Sequence, residues 1–142
     1  MEVLDLEDIA NKEKLNIVNY KMKPKARIID RYIFIDYSKI HTYTEEKCLL
    51  AEELGHYYYD AYYTLRSSQT DIDKAEYKAM KWKSLTCVSL KSILHCFKNG
   101  ICNLSDIAEE LNVEQNMVEF AYNYYKDNGQ LFTNEEMLGK AF

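Results

Sequence analysis

Proline and glycine are scarce in this chain: Pro24 is the one proline, and there are four glycines in 142 residues. These residues are the strongest local interrupters of regular structure, so their scarcity favours long helices over a loop-rich or disordered chain. The length suits one domain, or one core with a small appendage. A chain of this size buries roughly 68–70% of the surface its unfolded form exposes, so it needs no disulfide or structural metal to fold. Cys48, Cys87, Cys96 and Cys102 show no C-x-x-C pairing, and Met1-Glu2-Val3 opens without a basic-then-apolar leader. Free thiols and a cytoplasmic location are expected. No apolar run approaches the length of about 18 residues that suggests a membrane span.

A formal net charge of −5 argues against bulk binding to nucleic acid or to an anionic membrane. The charge is unevenly spread. Residues 101–142 carry eight acidic side chains and two basic ones, so the acidity lies in the C-terminal part.

Periodicity divides the chain into elements. Leu6, Ile9, Leu15 and Val18 recur near helical spacing, predicting a helix from Leu4 to about Met22, with Asp5 a candidate cap and Pro24 the stop. From Ala26 the pattern turns β-branched and aromatic, predicting a hairpin over 26–30 and 32–37 with Asp30-Arg31 at the turn. Two strands alone are marginal in water and must pack on a helix. Thr42-x-x-Glu45 is a capping box opening a helix over 43–63. A polar loop, Arg66 to Thr70, precedes a helix over 71–86 capped by Asp71 or Asp73. Ser89 caps Leu90 to Asn99, which Gly100 ends. Helices from Ser105 to Leu111 and from Val113 to Asp127 follow. The fold class is α+β, mostly helical, with one small sheet.

The segment Ala51-Glu52-Glu53-Leu54-Gly55-His56 carries the chemistry. In an H-E-x-x-H helix, two histidines four residues apart hold zinc and the glutamate between them polarises the attacking water. Here the pattern is E-E-x-x-H: Glu53 takes the water-activating place, His56 the second ligand place, and Glu52 the place of the first histidine. Residues four apart stack on one helix face, so Glu52 and His56 are neighbours. As bare spacing the pattern also suits a charged, solvated stripe. Cys48 extends the same stripe, but it lies about 12 Å along the axis from His56, so core packing is its expected role.

The stretch from Glu46 to Tyr58 resembles the metal-helix signature of the ImmA/IrrE metallo-endopeptidases, in a phage- or mobile-element-like branch. Three further features fit the same family. Ile33-Phe34-Ile35-Asp36 matches an upstream strand pair. Glu76-Tyr77-Lys78-Ala79-Met80-Lys81-Trp82-Lys83-Ser84-Leu85 matches a downstream E-x-x-A-x-x-[FW]-x-x-L motif. Leu104 to Val113 and Tyr124-Tyr125 match the C-terminal part. The family helix commonly ends in a proline after the leucine, where this chain has Thr86-Cys87. The similarity covers roughly residues 25 to 130.

The resemblance implies a minimal zincin-like domain: a metallopeptidase-like core over 1–100, with a metal helix at 43–63 and a third-ligand helix at 71–86, then an acidic helical subdomain over 101–142. It implies His56, Glu76 and Glu52 as metal ligands and Glu53 as the catalytic group. Zinc is the expected ion; the extra carboxylate admits manganese or iron more readily. Among the tyrosines at 57, 58, 59, 62 and 63, most must pack, while one could donate a hydrogen bond to a developing oxyanion. Tyr59 and His41 are the accessory candidates.

By resemblance the substrate or binding partner is a cytosolic transcriptional repressor, making the protein an anti-repressor. A catalytically silent relative that binds the repressor is the alternative, motivated by Glu52. Ile107 to Val118 also has the rhythm of a helix-turn-helix, but Glu114, Gln115, Asn116 and Glu119 would then meet the DNA, and phosphate contacts demand the opposite charge. A DNA-binding regulator is therefore the third reading.

Overall fold

The computed structural model describes residues 1–59 and 66–131. Two compact units make up the chain, Met1–Lys83 and Ser84–Phe142.

In the first unit, helix α1 spans Val3–Lys12 and opens where the Asp5 carboxylate accepts from the Glu2 N–H at 2.7 Å. Asp5 thus sits in the first turn, and Glu2 is the cap. The helix ends ten residues earlier than its periodicity predicts. Lys14 turns left-handed at φ 59, and the Leu15 and Lys14 N–H groups donate back to Ala10 and Asn11 carbonyls. That closure satisfies the orphan carbonyls of the last turn, and buried Leu15 anchors the exit. The released chain forms strand β1, Asn16–Asn19, where a helix is predicted.

Strands β2 (Ala26–Ile29) and β3 (Tyr32–Ile35) form the expected hairpin, with Asp30 left-handed at φ 54 in its turn. The sheet has a third member, because β1 pairs in parallel with β3, giving the order β1-β3-β2. Ile28, Ile33 and Ile35 are buried. On the opposite face Tyr32 stacks on Phe34 and Tyr20 meets it edge-on. Asp36 fastens the exit from β3. Its carboxylate accepts from the Ser38 hydroxyl and from the Ser38 and Met22 N–H groups. The Ser38 hydroxyl, ahead of the opposing cost of burial, holds the acid below the usual carboxylate range.

Helix α2, Tyr43–Tyr58, starts as predicted: the Thr42 hydroxyl accepts from the Glu45 N–H at 3.0 Å. It contacts α1 and β2, burying Cys48, Leu50, Ala51 and Leu54. Its C-terminal end is clasped to the end of α1, where the Tyr57 and Tyr58 hydroxyls donate to the two Glu13 carboxylate oxygens at 3.0 and 3.1 Å. Helix α3, Gln69–Cys87, follows. Ser68 caps it, accepting from the Asp71 N–H, so Asp71 and Asp73 lie inside the helix rather than before it. Positions 60–65, with Tyr62 and Tyr63, and the tail 132–142 lie outside the described residues.

The second unit holds α4 (Leu90–Lys98), α5 (Leu104–Leu111) and α6 (Gln115–Asp127). Ser89 caps α4 and Asn103 caps α5. Gly100 and Asn112 take the left-handed conformation that closes each helix. Helix α4, grouped by sequence with the first hundred residues, makes its contacts with α5 and α6. Ile93, Phe97, Ile107, Met117, Val118 and Ala121 are buried, and the Tyr125 hydroxyl donates to the Val88 carbonyl at 2.7 Å. No helix among the described residues is long and apolar enough to cross a membrane.

Candidate metal centre

Two helices of the first unit supply the site, and a missing side chain lets them meet. A Cβ built on Gly55 would lie 2.9 Å from the Ala79 carbonyl oxygen and 3.0 Å from the Ala79 Cα. Backbone atoms cannot swing aside, so α2 and α3 approach this closely because residue 55 has no side chain. Ala75 and Ala79 keep the facing surface of α3 small, and both are buried. Beside the notch, Tyr58 stacks on Trp82 with ring centroids 5.1 Å apart.

This notch explains the glycine in the motif. Gly55→Ala gains up to about 1 kcal/mol of helix propensity. Overpacking against backbone costs about 1–3 kcal/mol and wins. The variant should be less stable by about 1–2 kcal/mol in urea unfolding, and should bind divalent metal more weakly because the helices are wedged apart.

The approach brings Glu52 and His56 of α2 together with Glu76 of α3. One donor atom from each lies within 4.8 Å of the others, and His56 Nε2 is 3.8 Å from Glu76 Oε1. Two donors placed about 2.1 Å from a tetrahedral ion stand roughly 3.4 Å apart, so small rotations would suffice to close the group on a cation. His56 is buried, while Glu52 and Glu76 are partly open to solvent. An imidazole and two carboxylates are the nitrogen and oxygen donors that divalent transition metals take. This group could hold a metal ion.

Glu53, one residue round the helix from Glu52, is 8% exposed. It accepts a hydrogen bond from the backbone N–H of Ile28 in β2. Burial pushes its carboxyl up from the ordinary 4.5 to about 7, and repulsion from Glu52 and Glu76 adds to the rise. The Ile28 N–H and the nearby Arg27 oppose it. A carboxyl poised near 7 can both take and give a proton at neutral pH.

The other residues singled out by sequence are elsewhere or otherwise engaged. His41 is exposed ahead of the α2 cap, and His56 lies some thirteen residues along that helix, about 20 Å away. The structure does not bring His41 to the group. Tyr59 caps the C-terminus of α2, one turn past His56, and is exposed. Cys48 is buried in the core and outside the cluster. Burial, with the Glu13 hydrogen bond, pushes the Tyr58 hydroxyl up to about 12, consistent with a packed structural tyrosine.

One residue at the site has no counterpart in the sequence motifs. Lys83, buried on α3, places Nζ 3.7 Å from Glu52 Oε2. The signal was present as spacing: Lys83 follows Glu76 by seven residues, two helical turns, and so shares its face. Comparison with protein-family models, with curated proteins and with solved structures finds no match.

Proposed function

We propose that this protein is a metal-dependent endopeptidase of the ImmA/IrrE type that cleaves a specific transcriptional repressor. It would thereby act as an anti-repressor of a phage or mobile element. One observation carries the reading: His56, Glu52 and Glu76 converge while Glu53, buried beside them, has its carboxyl near 7. The repressor substrate comes from the motif resemblance alone.

Zinc is the ion this donor set fits best, with manganese or iron as substitutes, and it would supply Lewis-acid stabilisation of the charge developing on the scissile carbonyl. His56, Glu76 and Glu52 would bind it. Glu53 takes a proton from the attacking water and returns it to the departing amine. The Ile28 N–H donates to its carboxylate and so restrains it. The notch at Gly55 sets the spacing that such positioning requires.

Glu52 in the place of the first histidine motivates a second reading, in which the protein keeps the fold and regulates by binding the repressor without cutting it. A DNA-reading role has less support: Glu114, Gln115, Asn116 and Glu119 are exposed around the start of α6, with the wrong charge for phosphate. Incubation with a candidate repressor separates the first two. The parent should generate repressor fragments, and Glu53→Gln should slow their appearance by roughly 10²–10⁴-fold, the range of a general base. Intact repressor bound by both proteins would favour the silent binder.

A further inference from the structure

Lys83 is a cation at this site that the hydrolytic scheme leaves unused. Its side chain is 7% exposed, with Nζ 3.7 Å from a carboxylate oxygen of Glu52. Burying an ammonium is costly unless an anion accompanies it, and Glu52 is one such partner. Helix α3 thus delivers two charges from one face: Glu76 beside His56 and, two turns on, Lys83 beside Glu52.

The location matters because residue 52 occupies the place of the first histidine in H-E-x-x-H. A carboxylate there adds one negative charge relative to a neutral imidazole, and Lys83 adds one positive charge 3.7 Å from it. The ion pair has the net charge of the imidazole it replaces.

We infer that Glu52 and Lys83 form one unit standing in for the missing histidine, a carboxylate ligand that carries its own counter-charge. The inference rests on the metal-centre reading above. Groups behind a ligand tune the ion it holds, and Lys83 keeps this centre from becoming over-anionic, which would tighten the metal while dulling its Lewis acidity. It follows that restoring the histidine alone is harmful. Glu52→His would remove the Glu52 counter-charge from beside the Lys83 ammonium and leave that cation near a dication.

Zinc affinity, measured by competition with a chromophoric chelator, tests this on five proteins: the parent, Lys83→Met, Lys83→Arg, Glu52→His, and Glu52→His with Lys83→Met. Lys83→Met should bind zinc about tenfold tighter than the parent, within the range by which outer-shell partners tune metal affinity. Lys83→Arg, which keeps the charge, should stay close to the parent. Glu52→His should bind about tenfold more weakly or worse, and adding Lys83→Met should restore it. A merely structural lysine would instead weaken binding when removed, equally in both backgrounds.

Additive effects, or a Glu52→His protein that binds zinc as tightly as the parent with Lys83 in place, would overturn the inference and leave the metal centre standing. A parent that binds no zinc overturns both. Urea unfolding of the metal-free variants identifies any that do not fold; should Lys83→Met be one, Glu52→His against the parent decides alone.

Discussion

At pH 8 and without metal, Glu53→Gln should be more stable than the parent by about 3 kcal/mol, and at pH 5 by less than about 1 kcal/mol. The Glu53 carboxyl is held near 7 in the folded chain, against an ordinary 4.5. Below pH 4.5 it is protonated in both states and costs nothing. Between 4.5 and 7 the unfolded chain has released the proton and the folded chain has not, so parent stability falls as pH rises. Above 7 the loss is complete. The shift of roughly 2.5 pH units, at 1.36 kcal/mol each, gives the figure. Glutamine is neutral throughout and its carbonyl can still accept the Ile28 N–H, so the variant lacks the penalty. Urea unfolding between pH 5 and 8 with a chelator present measures it; parallel pH profiles for the two proteins would count against a buried, strained acid at residue 53. The same substitution should remove the hydrolytic activity proposed for the parent. A side chain that destabilises the fold it belongs to is what a site arranged for chemistry, rather than for packing, would be expected to hold.

Zinc should stabilise the parent and should fail to stabilise His56→Ala. His56 is the sole nitrogen donor of the group, and losing it leaves two partly solvated carboxylates. A ligand at a hundred times its Kd stabilises the folded state by about 2.7 kcal/mol. Under conditions giving the parent that gain, His56→Ala should show almost none, and Glu76→Ala should show a reduced one because Glu52 remains. Zinc also brings a counter-charge to Glu53, so the gain for the parent should be larger at pH 8 than at pH 5. Thermal unfolding with and without zinc at both pH values reads all of these. Equal stabilisation of the parent and His56→Ala would place the ion elsewhere.

Local chemistry made much of this fold legible. Thr42, Ser89 and Gly100 mark helix ends because a hydroxyl acceptor or a left-handed glycine satisfies the orphan groups there. Asp30-Arg31 marks the hairpin turn because aspartate tolerates the left-handed conformation. The end of α1 carries no such mark. Lys14 adopts the left-handed conformation without being glycine or asparagine, and Leu15 and Val18 fit a helical stripe as well as a strand. What makes Asn16–Asn19 a strand is parallel pairing with β3, a partner sixteen residues away that periodicity cannot register.

The site divides in the same way. Glu52, Glu53 and His56 are placed by helical spacing, and Glu76 by the motif resemblance; the structure brings Glu52, His56 and Glu76 together. Lys83 escaped because it falls between the fixed positions of that motif. Its partner is on the other helix, so only the packing at Gly55 reveals the pair.

The most direct measurement is anomalous scattering from a crystal soaked in zinc. A metal centre built on these side chains gives one strong peak within about 2.0–2.2 Å of His56 Nε2 and of a carboxylate oxygen of Glu76, with Glu52 alongside. Full zinc occupancy at some other cluster, with the His56 and Glu76 side chains turned apart, would contradict it.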